Sequence, residues 1–260
     1  RRRGVFALMV FASCFMNYYF FVGQAVFCFV YWAVRCITRS WRMSVKDFLW
    51  LLFESVLGVA MSALLLIPSC LAVLQNPRVD NPTQGWNALL YNIPQRYLHI
   101  LECFFFPPDI PARPNFTPDS ESKWASLGAW LPLFSMTGVI AFLQRRKKHW
   151  LKVLLGVLFL MAMVPFLNSA FQAFNANYYA RWFYTLTLMM SLSTVLSLDL
   201  DQINWKRALI WTTAITLGIC LPIGLFPKTV NSNGETTTTI GLEAYPTRFW
   251  AYVAISLLSL

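Results

Sequence analysis

"GVFALMVFASCFMNYYFFVGQAVFCFVYWAV", Gly4 to Val34, is an unbroken apolar run between two basic clusters, Arg1 to Arg3 and Arg35 to Lys46. As one α-helix it would be roughly 46 Å long at about 1.5 Å per residue, against a hydrocarbon thickness of about 30 Å. Short segments rich in Lys and Arg stay on the cytoplasmic side of a membrane. Two basic flanks on one side require the chain to turn back between them. The run is therefore expected to form two short helices that meet near "MNYYF", Met16 to Phe20, as a re-entrant hairpin. Non-helical backbone at that depth is tolerated when it is enclosed by protein or lines a wet cavity. The other reading, a single long tilted helix, would carry the "RRKKHW" loop, Arg145 to Trp150, to the outside against the charge rule.

Composition agrees with a lipid solvent. The chain is 57% hydrophobic, 17% aromatic and 12% charged, with mean hydropathy +0.52, whereas a soluble domain carries about 25% charged residues. Further apolar windows that approach or reach crossing length run over residues 48–67, 124–143, 150–167, 182–198 and 208–226, and another begins at 248. The fold class expected is all-α: a polytopic transmembrane helical bundle in one membrane domain over 1–260. Because the chain begins with Arg1 and stops inside an apolar segment, it is expected to be a piece of a longer protein.

Charge sets the orientation. Arg1 to Arg3, the Arg35 to Lys46 segment, the Arg145 to Lys152 segment and the Lys206-Arg207 pair hold 14 of the 21 cations. The intervening segments hold seven cations and seven acids, so the whole formal charge of +10 falls on the cytoplasmic side. Such a distribution reports topology and anionic headgroups. With no basic patch on a soluble domain, nucleic acid is not an expected partner. Alternation then leaves 75–123 as a large external loop and puts Arg181 at the outer surface. Within that loop "IPQRYLHILECFFF", Ile93 to Phe106, repeats Tyr97, Ile100, Leu101, Phe104 and Phe105 at helical spacing, with Arg96, His99 and Glu102 on another face. This is the pattern of a helix lying in the interface plane.

The six cysteines, Cys14, Cys28, Cys36, Cys70, Cys103 and Cys220, have neither CxxC nor Cys/His ligand spacing and read as small core residues. With His99 and His149 as the two histidines, a Ser/His/Asp triad or a multi-His metal centre has little material. A lone Glu54 sits two turns into the 48–67 window, where it is expected to be paired, with Lys46 as one partner, or to reach cytoplasmic water. Asn115-Phe-Thr117 matches a glycosylation sequon, though Pro118 follows it. "ETTTT", Glu235 to Thr239, suits an exposed loop.

The external segment ending "FNANYYAR", Phe174 to Arg181, has two open readings. One is an aromatic belt with a snorkelling Arg181. The other is an anion site, in which Arg181 binds a lipid phosphate through two parallel hydrogen bonds. In that reading Arg96 and Arg78 are weaker phosphate ligands, and Asn175, Asn177 and Tyr178 hydrogen-bond sugar hydroxyls or phosphate oxygens.

"FNANYYARWFYTLTLMMSLSTVLSLD", Phe174 to Asp199, resembles a segment of the YfhO family of bacterial membrane proteins. So do "MNYYFFVGQAVFCFVYWAVR", Met16 to Arg35, and "LLLIPSCLAVLQNPR", Leu64 to Arg78, in the same order. The resemblance implies a multi-pass glycosyltransferase of the GT-C type in the bacterial cytoplasmic membrane. Its partners would be a polyprenyl-phosphate-linked sugar and a cell-envelope polymer acceptor such as teichoic acid. It also implies a catalytic acid in a first external loop, expected to precede Arg1, so no catalytic residue is assigned here. A divalent cation, if used, would need carboxylates such as Glu102 or Asp109. A transporter or flippase of a lipid-linked anionic substrate and a non-catalytic envelope-assembly scaffold are the alternatives. Transport calls for ionisable residues within several spans, and Glu54 is the chief example here.

The hairpin makes a direct prediction. Single cysteines placed at Ser40 and Ser120, in a background lacking the native six, should react with a membrane-impermeant thiol reagent at 120 and not at 40. Labelling at 40 from outside reverses the topology.

Overall fold

A computed structural model describes residues 4–75, 85–108, 128–145, 147–175, 178, 180–200, 203–232, 235–243 and 245–260. They form an all-α helical membrane protein with one small β-hairpin. By length and composition two described helices can cross a membrane, or up to four if each of two bent pairs counts as one span. The chain divides into two compact units, one of residues 1–90 and 156–182, the other of 91–155 and 183–260.

In the first unit, α1 (Val5–Met16) and α2 (Tyr18–Ile37) meet at Asn17, inside the Met16 to Phe20 stretch where the joint is expected. Asn17 is extended, and its side-chain carbonyl accepts from the N–H groups of Tyr19 at 3.1 Å and Phe20 at 3.3 Å. It thus caps the helix that it starts. One expectation changes here: α2, at 20 residues, is not short but long enough to cross a membrane alone.

α3 (Val45–Met61) runs parallel to α1. Gly4 N–H donates to Glu54 Oε1 at 3.2 Å, and further along Gly58 faces Ala7 and Val10. Two parallel helices joined through α2 require α2 to carry the chain back over its length of about 30 Å. Glu54 is 2% exposed. Its partner is not Lys46: besides Gly4, Oε1 accepts from Trp50 Nε1 at 2.6 Å, one turn earlier on the same helix.

The 48–67 window is not one straight helix. α3 and α4 (Ala63–Leu74) bend by 74° at Ser62. There both the backbone N–H and the hydroxyl of Ser62 donate to Val59 O, at 3.0 and 2.8 Å, so local side-chain bonding replaces the regular ladder. The 150–167 window bends by 101° between α7 (Trp150–Met163) and the following Pro165–Gln172 segment, which comprises α8 (Pro165–Ser169) and a 3₁₀ turn (Ala170–Gln172). Pro165 has no N–H and pushes Val164 into the extended region, at φ −106° and ψ 117°.

In the second unit, the expected 124–143 span is corrected more strongly. Its described part is helical only in α6 (Thr137–Gln144), eight residues or about 12 Å. Pro132 interrupts the ladder, and Phe134 and Ser135 adopt left-handed φ values of 63° and 43°. α9 (Phe183–Leu198) and α10 (Trp205–Leu225) match their windows closely. α6 lies against α9, where Ser197 Oγ donates to Gly138 O at 3.0 Å and Thr194 abuts Gly138. Small residues let helices approach where hydrophobic attraction is absent.

α5 (Gln95–Phe105) is the helix expected from Ile93 to Phe106, but its polar face is not wet. His99 and Glu102 are buried along with Ile100 and Phe104 to Phe106. Phe104 stacks on Phe183 of α9 and Phe106 meets Phe249 of α11 (Pro246–Leu258), so protein encloses both faces. The "ETTTT" stretch is a strand rather than a loop: β2 (Glu235–Ile240) pairs antiparallel with β1 (Pro227–Ser232), Lys228 opposite Thr239. All six cysteines are free. Cys14, Cys103 and Cys220 are buried as expected of core residues, whereas Cys28 and Cys70 are exposed, because apolar side chains in such a bundle also face lipid.

Packing and hydrogen bonding in the first unit can be tested through stability, with Gly218 of α10, in the second unit, as the control. A methyl added at Gly58 would lie 2.5 Å from the backbone oxygen of Ala7, so Gly58→Ala should cost about 1 to 3 kcal/mol. Gly218→Ala, which meets open space, should be neutral or stabilising by up to about 1 kcal/mol. Thermal unfolding of the purified chain in detergent compares them. Glu54→Gln puts an amide where the carboxylate accepts two N–H groups and should lower stability by about 1 to 3 kcal/mol; an unchanged melting temperature would show that these hydrogen bonds contribute nothing.

Candidate functional site

The segment around Arg181 is built on a tight knot. After the 3₁₀ turn, Ala173 and Phe174 both take left-handed backbone, with φ of 51° and 60°. That costs about 1 to 2 kcal/mol per non-glycine residue. The knot is closed by Phe174 N–H donating to Ser169 O at 2.8 Å and Asn175 N–H to Gln172 O at 3.1 Å. It returns the chain so that Trp182 stacks on Phe171, with centroids 3.9 Å apart and rings within 2° of parallel. Both rings are buried, and Gly23 of α2 meets them without a side chain, an ideal Cβ there lying 3.7 Å from the Phe171 ring.

Beside this stack the Arg181 guanidinium lies 5.4 Å from the centre of the Tyr19 ring. The Tyr19 hydroxyl accepts from Gln172 Nε2 at 3.0 Å, which fixes the ring. Arg181 itself is exposed, while its neighbour Trp182 is 1% exposed. Tyr19 belongs to the first turn of α2, the positive end of that helix's dipole. A guanidinium and a helix N-terminus together favour an anion.

The other residues expected at an anion site are placed one by one. Asn175 lies in the knot and is half-buried, as is Tyr178, whose hydroxyl is buried. Arg96 belongs to the second unit, on α5, with its guanidinium 5.9 Å from the Tyr91 ring centre. Arg78 and Asn177 lie outside the described residues, as do Asp109, Asn115 and Thr117. Sequence reasoning missed Tyr19 and Gln172. They are 153 residues apart, and only their placement in an aromatic stretch and an amide-rich loop marked them.

Elsewhere, His99, Glu102 and Glu243 are buried acid–base groups of the second unit. Burial first, and then the adjacent Glu102 carboxylate, push the Cys103 thiol far above its ordinary range, so it is no thiolate nucleophile. Among the described residues no three of His, Cys, Asp and Glu converge as metal ligands.

Comparison with curated proteins and with solved structures gives no match. The family model described as bacterial membrane protein YfhO matches residues 1–259. An apolar helical chain whose match is essentially end to end belongs to the YfhO family of bacterial membrane proteins.

Proposed function

We propose that the chain is part of a membrane glycosyltransferase of the GT-C type. It would take a sugar from a polyprenyl-phosphate carrier on the outer face of the cytoplasmic membrane and pass it to an envelope polymer such as teichoic acid. The observation that carries this reading is the placement of Arg181 on Tyr19, at the Asn17 end of α2. The basic Arg35 to Lys46 segment follows the other end, so Tyr19 and Arg35 are about 24 Å apart along the helix. With the basic end cytoplasmic, this distance covers most of a hydrocarbon thickness of about 30 Å and brings Tyr19 toward the outer side.

As the bond from sugar to carrier phosphate breaks, negative charge grows on the phosphate leaving group. A guanidinium held in place by an aromatic ring stabilises that charge without having to reorganise. Asn175, Asn177 and Tyr178 would orient the sugar or phosphate oxygens, and Arg96 and Arg78 are further phosphate ligands in this proposal. The groove along the hairpin, lined by Phe6, Phe27, Trp32, Phe48 and Leu52, suits a prenyl chain.

The two bent helix pairs also favour a second reading, a transporter or flippase for a lipid-linked anion, because transporters build sites from broken helices. A transfer assay separates the two. In the full-length protein Arg181→Lys keeps the charge and loses the planar fork. Transfer from a polyprenyl-phosphate sugar, normalised to protein level, should fall about ten- to a hundredfold, with insertion unchanged. Activity retained in Arg181→Lys would reduce the residue to an interfacial anchor. Carrier translocation without sugar transfer by the wild type would favour the flippase.

A further inference from the structure

Two basic segments far apart in sequence form one wall in the second unit. Arg145 and Lys147 follow α6, while Asn204 and Arg207 open α10, and with Gln144 they line a cavity of about 300 Å³. Three cations face this cavity, and among the described residues no carboxylate is in its lining. Among the described residues, none of the three makes an ion pair.

The backbone around the cavity suits an anion as well. Asn204 caps α10, its side-chain oxygen accepting from Arg207 N–H at 2.9 Å, so the positive end of a 21-residue helix adjoins the cations. The opposite influence, the carbonyl end of α6, is offset by Lys152, whose ammonium donates to Leu143 O at 3.0 Å and also to Arg145 O. These same bonds tie down the backbone that carries Arg145. A charge run that merely sits in solvent has no need of a concave wall assembled from two loops.

We propose that this cavity binds a phosphate group, gripped by Arg145 and Arg207 and steered by Lys147. The ligand is either the headgroup of an anionic lipid in the adjoining leaflet or a soluble phosphate. The site lies in a different unit from Arg181 and is independent of the transferase reading.

The purified full chain in neutral detergent is titrated with inorganic pyrophosphate. In parallel it is incubated with short-chain phosphatidic acid or phosphatidylcholine, and bound lipid is counted by native mass spectrometry. Wild type should bind pyrophosphate saturably, which identifies a soluble phosphate, or retain phosphatidic acid over phosphatidylcholine, which identifies a headgroup. The Arg145→Gln/Arg207→Gln double variant should weaken whichever probe binds by about tenfold or more. Lys147→Glu, at an exposed loop position, should weaken it too while leaving the melting temperature unchanged, which guards against a fold effect. Arg39→Gln, in the other unit, should change nothing. The proposal is overturned if neither probe binds wild type more tightly than the double variant, or if Arg39→Gln has an equal effect.

Discussion

Where a helix breaks inside hydrocarbon, no water is present to take up the freed amides and carbonyls, so each break needs a partner from the protein. The breaks in this chain meet that constraint by different means. Asn17 supplies a side-chain acceptor to the first turn of α2, Ser62 supplies a hydroxyl to Val59 O, and Pro165 has no N–H to satisfy. Because these breaks are satisfied locally, the apolar segments bend at them instead of continuing as straight helices. The return of α2 beside two parallel helices and the knot bearing Arg181 both depend on such breaks.

Several buried polar side chains follow the same rule. Glu54 accepts from Trp50 and from the start of α1. Thr212 and Thr216 donate to carbonyls one turn back within α10. Close helix contact is reserved for places where glycine or a small hydroxyl residue allows it, as at Gly58 and at Gly138 beside Thr194. Without a hydrophobic drive between helices in lipid, such contacts and hydrogen bonds carry the packing.

The candidate site combines a strained turn with a rigid support. Two consecutive left-handed residues, Ala173 and Phe174, persist because the Phe171–Trp182 stack on Gly23 and the Gln172–Tyr19 bond over-determine their surroundings. The result is a cation whose position is set by an aromatic ring on another helix, in place of a long side chain free to follow the headgroups.

The lipid solvent, the apolar helices, the break near Asn17 and the clustering of cations were legible from composition, run length and charge, because these properties act locally along the chain. The end of each helix was less so. A hydropathy window counts Pro132, Pro165 and Ser62 as single residues among many, although one missing N–H or one competing hydroxyl is enough to end a ladder. α5 shows the same limit: its period was correct, yet the burial of His99 and Glu102 is not in that period, and the helix packs through Phe104 and the adjoining Phe106 on Phe183 and Phe249, far along the chain. Arg181 could be singled out from its neighbours in sequence, but its support could not, because Tyr19 lies on a different helix. The amino-acid order alone thus determined what kind of solvent the chain occupies and where its charges collect. Only tertiary structure decided which cation rests on which ring and which two basic loops share a wall, since those depend on contacts between residues that no local pattern links.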